Sequence, residues 1–156
     1  MPTNVEVTIE EAFADAKPPF EEDICTSVGD EPLEDTEPFR GKRWQDLVDP
    51  EFLDRFQYAL FWFTPEAFHY YLPAFLKAGL LQPDAIFVTT ILQILQPAAA
   101  RTSAAFRRQR WELLTNTQTM ALDEWLRWLV GQATPGGVFE EEINEALQIV
   151  RDRFWW

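Results

Sequence analysis

The sequence has 156 residues, a mass of 18.2 kDa, and 26 acidic against 13 basic side chains, so its net charge is −13. Its hydrophobic content of 47%, with 7 Trp and 13 Phe, excludes a largely disordered chain, and its single cysteine excludes a disulfide scaffold. The length predicts one domain, and the negative charge disfavours nucleic acid and anionic lipid as direct partners.

The acidic residues are concentrated at the start of the chain. Residues 1–38 contain 12 acidic residues and one lysine, whereas residues 39–156 contain 14 acidic and 12 basic residues. We therefore expect a single domain over residues 1–156, in which an acidic N-terminal part (1–43) precedes a helical core (44–156).

The N-terminal part contains one predicted helix. Thr8 and Glu11 have the spacing of a capping box, which predicts a short helix over residues 9–16. Prolines and acidic residues alternate with a few apolar ones over residues 18–38, and this pattern predicts an extended, solvated segment.

Two consecutive helices have the same start pattern. Asp49-Pro50-Glu51 and Thr64-Pro65-Glu66 each supply an N-cap, a proline in the first turn and an acidic residue near the positive end of the helix dipole. The first pattern predicts a helix over residues 50–63, and the second predicts a helix that ends at a C-terminal glycine cap, Gly79.

The rest of the chain predicts further helices because apolar residues recur at helical spacing and glycine or proline separates the segments. These helices cover residues 85–96, 104–114, about 116–130 and 139–154. With the earlier ones they give six or seven helices and no strand. The predicted fold class is all-α.

Membrane insertion and export are not expected. Residues 58–81 are rich in aromatic and aliphatic side chains, but Glu66, His69 and Lys77 interrupt them, so no span of about 20 apolar residues remains. The first residues lack the basic and apolar regions of a signal peptide. The lone Cys25 fits a reducing compartment, and we expect a cytoplasmic protein.

The residue types required by common catalytic sites are scarce. His69 is the only histidine and lies between Phe68 and Tyr70, which favours a packed or hydrogen-bonded structural role over that of a general base. Acidic neighbours disfavour a reactive Cys25 thiolate. Because no phosphate-binding glycine loop or metal-ligand spacing occurs, the sequence predicts no cofactor, metal site or catalytic residue.

Charged residues form two clusters. The acidic one lacks the glycine and ligand spacing of a calcium loop, so it predicts a solvated surface; it comprises Asp30, Glu31, Glu34, Asp35 and Glu37. The basic one lies beside Trp111 and either binds phosphates or docks the acidic segment of the same chain, and we favour docking. It comprises Arg101, Arg107, Arg108 and Arg110.

Aromatic residues give two further hypotheses. Four of them at helical spacing either line a groove or pack in the core, and such residues are more often core: Tyr58, Trp62, Tyr70 and Tyr71. Trp155 and Trp156 at the chain end predict an interaction patch unless they fold back.

Three segments resemble a family of bacterial proteins known only as a domain of unknown function. The longest is Ala59-Leu-Phe-Trp-Phe-Thr-Pro-Glu-Ala-Phe-His-Tyr-Tyr-Leu-Pro-Ala-Phe75, and the others are Ile9-Glu-Glu-Ala-Phe13 and Phe39-Arg-Gly-Lys-Arg-Trp44. Leu114-Thr115 before the Trp125 helix is a weaker match. The resemblance implies a small cytoplasmic bacterial protein and no particular activity.

Three functions remain open. The first is a non-enzymatic acidic domain that binds a basic protein, in its sharper form an inhibitor or immunity-type protein, through the acidic cluster and Trp155-Trp156. The second is a small-ligand binder or enzyme that uses Glu66, His69 and Tyr70 in the aromatic helix pair. The third is a homo-oligomeric structural component.

Overall fold

The computed structural model describes residues 4–26, 29–96 and 103–152. Their regular structure is helical, without a named strand, so the all-α single domain is confirmed. Nine α-helices occur in these ranges: α1 (Asn4–Ala12), α2 (Asp30–Thr36), α3 (Pro50–Arg55), α4 (Ala59–Trp62), α5 (Pro65–Leu81), α6 (Ile86–Leu95), α7 (Ala104–Trp111), α8 (Asn116–Gln132) and α9 (Val138–Arg151). Three 3-10 turns lie at Glu21–Asp23, Glu37–Phe39 and Trp44–Leu47.

The predicted number of six or seven helices is too low, in part because the helix expected over residues 50–63 is two helices. The backbone leaves helical geometry at Phe56, after α3, and α4 begins at Ala59. Gln57 in the break is buried, and its side-chain oxygen accepts a hydrogen bond from Thr90 of α6 at 2.5 Å. Asp49 caps α3 as predicted, by accepting from the amide of Glu51.

The additional helix, α2, lies where an extended segment was predicted, so that prediction is wrong. Pro32 is compatible with the first turn because the amides there have no partner within the helix. Pro32 and Thr36 are buried, and the Thr36 hydroxyl donates to the Pro32 carbonyl at 2.9 Å. Packing of α2 against α4 thus overrides the loop-like composition.

Helix α1 lies earlier in the chain than predicted. It spans Asn4–Ala12, and Thr8 is inside it, where its hydroxyl donates to the Asn4 carbonyl instead of capping the helix. Val5, Ile9 and Phe13 are buried, and α1 packs against α5 and α8. Burial of this apolar side determines where the helix lies.

Helix α5 is the central element, since it packs against α1, α3, α6, α7 and the Trp44–Leu47 turn. The Thr64 hydroxyl caps its start, as predicted, by accepting from the Ala67 amide at 3.2 Å. Gly79 is not a cap, because α5 continues to Leu81. It instead lets Trp125 of α8 approach: a Cβ at Gly79 would lie 3.0 Å from the Trp125 ring.

An aromatic core holds the N-terminal part against α5. The Phe39 ring lies 5.0 Å from the Phe63 ring and 5.3 Å from the Tyr71 ring. The Tyr71 hydroxyl donates to the carbonyl of Phe39 at 2.6 Å, and burial raises the pKa of this phenol above its ordinary value. Lys77 of α5 also forms ion pairs with Glu6 and Glu10 of α1.

The second half of the chain closes the opposite side of the core. Helix α8 begins with a capping box formed by Thr115 and Gln118, and it packs against α1 and α9. Helix α9 ends at Arg151, and the predicted extension to residue 154 lies outside the described residues. No helix within the three described ranges has the length and hydropathy needed to cross a bilayer.

Candidate functional site

A surface cavity of about 830 Å³ lies between α2, α4 and α7. Its aromatic wall comes mainly from α4 and its flank and from α7: Tyr58, Phe61, Trp62 and Phe106. Glu31 of α2 and Arg110 of α7 also line it, so the aromatic cavity has one acidic and one basic side chain in its lining. Ligand sites in proteins combine apolar walls with a few polar groups in this way.

Backbone pairing positions the cavity wall. Cys25 and Phe63 form an isolated antiparallel bridge, and the Thr26 amide donates to the Trp62 carbonyl at 2.8 Å. The Thr64 amide donates back to the carbonyl of Ile24 at 3.1 Å. These bonds fix the end of α4 against the chain that leads into α2.

Arg110 is a buried cation beside this cavity, with only 3% of its surface exposed. It donates to the carbonyls of Phe63 at 2.7 Å and Phe106 at 3.2 Å, and its guanidinium carbon lies 3.6 Å from the centre of the Phe106 ring. Within the described part of the chain, its Nε–H has no acceptor and its guanidinium forms no ion pair.

Burial lowers the pKa of Arg110 to about 10, while the charge of Glu66 acts in the opposite direction. The group therefore stays protonated at neutral pH, but its positive charge is poorly solvated. An anion beside it would relieve that desolvation. Of the charged residues that line the cavity, Arg110 is therefore the one whose charge is buried.

Four of the five predicted acidic residues lie on α2. Asp30, Glu31 and Glu34 are exposed, and Asp35 is half-buried. Burial raises the pKa of Asp35; the Trp62 indole N–H lowers it in part, and Glu31 and Glu34 raise it. The fifth residue, Glu37, begins the following turn and pairs with Arg40 at 2.9 Å.

The predicted basic cluster is divided by burial. Arg107 and Arg110 are buried, whereas Arg108 is exposed and lies 3.8 Å from Glu112 on its own helix. The charge of Glu66 raises the pKa of Arg110, and Glu31 is the α2 residue that lines the same cavity. Among the described ion pairs, none joins α2 to α7, but Arg107 and Arg108 have further interactions and Arg101 lies outside the described residues, so docking of the acidic segment stays a prediction.

The side chains of Glu66, His69 and Tyr70 do not share a cavity among those described. His69 Nε2 lies 2.7 Å from the Gln118 oxygen, whereas the buried Tyr70 hydroxyl accepts from the Trp44 amide at 3.3 Å. Glu66 is exposed near Arg110. His69 has the structural hydrogen bond that the sequence favours for it.

Gln118 connects His69 to two further elements. Its oxygen accepts from the Thr115 amide at 3.0 Å, and its nitrogen donates to the Ala12 carbonyl at 3.1 Å. Gln118 is 4% exposed, and its bonds to Thr115 and Ala12 are part-buried. The sequence reasoning missed this residue, although its place three residues after Thr115 is the capping-box signal.

The four aromatic residues considered for a groove divide into two pairs. Tyr70 and Tyr71 belong to the core, as their spacing predicts. Tyr58 is 46% exposed and Trp62 half-buried, and both line the cavity, so the core assignment is wrong for this pair. Trp155 and Trp156 lie outside the described residues, and their predicted interaction role stays a prediction.

The sequence reasoning also missed Phe106 and Arg110 as cavity residues. The useful signal was the combination of an arginine with an aromatic residue four positions earlier, which puts both on one face of a helix. A second, smaller cavity of about 210 Å³ shares Tyr58 and Phe61 with the first. Exposed Ile86 of α6 lines this second cavity, so the two cavities together extend from α7 to α6.

No group of three or more acidic, histidine or cysteine side chains in the described ranges is arranged to hold a metal ion. Comparison with curated proteins and with solved structures finds no match. The model of one protein family matches residues 3–134, a range that includes every described residue of the aromatic cavity. The chain therefore belongs to DUF6714, a family of unknown function.

Proposed function

We propose that this chain is a non-catalytic interaction domain that binds a basic surface of another protein through α2. More specifically, we propose that the chain is an inhibitor or immunity-type protein that covers this basic surface. The observation that carries the proposal is the state of the α2 carboxylates. Asp30, Glu31 and Glu34 are exposed on two turns of helix, and none of them forms an ion pair with another described residue.

Three of the other acidic residues near the N-terminus differ in this respect. Glu6 and Glu10 share Lys77, and Glu37 pairs with Arg40. Three unneutralised carboxylates on one short helix, in a chain of net charge −13, produce a local field that attracts basic partners and accelerates their association.

The residues available for chemistry support a binding role over catalysis. The only histidine of the chain is hydrogen-bonded to Gln118, and the only cysteine, Cys25, is half-buried in the bridge with Phe63. A nucleophile next to a free histidine base is therefore lacking in the described residues. We further propose a reducing, cytoplasmic setting in a bacterium, from the single cysteine and the resemblance noted above.

Affinity capture with matched charge variants tests the proposal. The α2 variant carries Asp30→Asn, Glu31→Gln and Glu34→Gln. The control variant carries Glu11→Gln, Glu141→Gln and Glu145→Gln, which removes the same charge from exposed positions of α1 and α9. Each protein is incubated with lysate of its source at low and high salt, and retained proteins are identified by mass.

We expect wild type and the control variant to retain the same basic partner at low salt and to release it at high salt. The α2 variant should fail to retain it at either salt concentration. Equal loss of the partner with both variants would mean that binding depends on the net charge of the protein and not on α2. No partner that depends on α2, or retention that salt does not change, would contradict the proposal.

A further inference from the structure

We propose that the aromatic cavity between α2, α4 and α7 binds a small aromatic molecule that carries one carboxylate. Arg110 binds the carboxylate, and the ring lies among Tyr58, Trp62 and Phe106. This site shares Glu31 with the proposed partner contact, but it binds its ligand through Arg110 and the aromatic side chains, which that contact does not require.

The cavity has the size and the walls of a ligand site. Its volume of about 830 Å³ lies within the range of roughly 300–1,000 Å³ typical of small-molecule sites. Four aromatic side chains line it, and Tyr58 keeps 46% of its surface exposed. Offset or edge-to-face contact with such rings favours an aromatic ligand over an aliphatic one of similar size.

Arg110 supplies the charge that selects an anion. Its guanidinium is buried and protonated, and it has neither an ion pair nor an acceptor for Nε–H among the described residues. The two carbonyls and the Phe106 ring hold it in place. A carboxylate reaching this fixed, planar group gains charge-assisted hydrogen bonds without further ordering of the side chain.

Glu31 on the same cavity limits the ligand's charge. A phosphate or a second carboxylate placed near Glu31 would be repelled, so the site favours a monoanion. An amino group on the ligand near Glu31 would be attracted. A metal cation is disfavoured because Arg110 lines the same space.

Calorimetric titration with matched small molecules tests the inference. The probes are 3-phenylpropionate, its uncharged amide 3-phenylpropionamide, and 3-cyclohexylpropionate, which keeps the carboxylate but lacks the aromatic ring. We expect 3-phenylpropionate to bind with a dissociation constant in the millimolar range or below. The amide should bind about tenfold more weakly without the charge-assisted bond, and the cyclohexyl acid several-fold more weakly.

Variants identify the site. Tyr58→Ala should weaken binding of 3-phenylpropionate several-fold, whereas Phe20→Ala, at an exposed aromatic residue outside the cavity lining, should not change it. Arg110→Lys should reduce the preference for the acid over the amide. Tyr58 is half-exposed, so its variant tests the site even if the buried Arg110 variant does not fold.

The α2 variant separates this inference from the proposed function. Because it removes the Glu31 charge, it should bind 3-phenylpropionate more tightly while it loses the protein partner. Absence of binding by the aromatic acid, equal binding of acid and amide, or an unchanged affinity in Tyr58→Ala would overturn the inference. None of these results would bear on partner capture.

Discussion

At the scale of single residues, Gln118 does more for the fold than its polar character suggests. Replacement by Met keeps the length of the side chain but leaves His69, the Thr115 amide and the Ala12 carbonyl without their bonds. Because these part-buried groups lose their partners, we expect Gln118→Met to lower the free energy of unfolding by about 1–3 kcal/mol.

Urea denaturation measures this loss, and Gln132→Met is the matched control. Gln132 is exposed in the last turn of the same helix, so its replacement should change stability by less than about 0.5 kcal/mol. Similar values for the two variants would show that the Gln118 bonds contribute little to stability.

Two glycines in helices should respond oppositely to alanine. At Gly79 a Cβ would lie 3.0 Å from the Trp125 ring, which is fully buried and held by a 2.8 Å bond from its indole nitrogen to the Leu76 carbonyl. We expect Gly79→Ala to destabilise the protein by about 1–3 kcal/mol, since the ring is too constrained to move aside.

Gly131 of α8 is the control because a Cβ there would meet nothing within 4 Å. Gly131→Ala should stabilise the protein by up to about 1 kcal/mol through reduced freedom of the unfolded chain. Thermal denaturation compares the pair. Stabilisation by Gly79→Ala would mean that α5 and α8 pack less tightly than described.

At the scale of elements, the packing of α2 on α4 should depend on pH through Asp35. Burial raises the pKa of Asp35 above its ordinary value of 3.8, so its charged form opposes folding. Its contribution to stability is fully present below pH 3.8 and is lost as the pH rises through the elevated folded-state value. Asp35→Asn should therefore stabilise the protein at pH 7, and this advantage should vanish as the pH falls below 3.8.

Denaturation of wild type and variant across this pH range gives the difference directly. Asp30→Asn is the control because Asp30 is exposed on the same helix and is not among the charges that shift Asp35. A stability difference for Asp35→Asn that does not change with pH would rule out its titration as the cause.

The same element marks the limit of the sequence reasoning. Two local start signals were read correctly, since Asp49 and Thr64 each accept from an amide of the helix that follows, whereas Thr8 lies inside α1. Helix α2 was missed because its helical state depends on burial of Pro32 and Thr36 against distant residues. Local composition contains no record of that contact.

The cavity was unpredictable for a similar reason. Its lining combines residues near 31, near 60 and near 106, which only the packed fold brings together. Trp62 follows a helical apolar pattern, and such a pattern does not distinguish a core residue from one at a cavity wall. Arg110 is basic in the sequence, but its burial is a property of the fold.

At the scale of the whole molecule, negative charge is compensated in some regions and left uncompensated in others. Lys77 of α5 pairs with two carboxylates of α1, and Asp123 of α8 pairs with Arg127 on its own helix and with Arg151 of α9. The α2 face has no such pairs among the described residues, and it borders the aromatic cavity through Glu31. The unpaired α2 carboxylates and the aromatic cavity are thus neighbours on the surface of the molecule.

The most direct test of partner binding by α2 is the dissociation constant of the captured partner, measured across salt concentrations for wild type, the α2 variant and the control variant. We predict that the α2 variant binds more weakly at low salt and has a shallower salt dependence, while the control variant follows wild type. Parallel salt dependences for all three proteins, with equal affinities, would contradict the account.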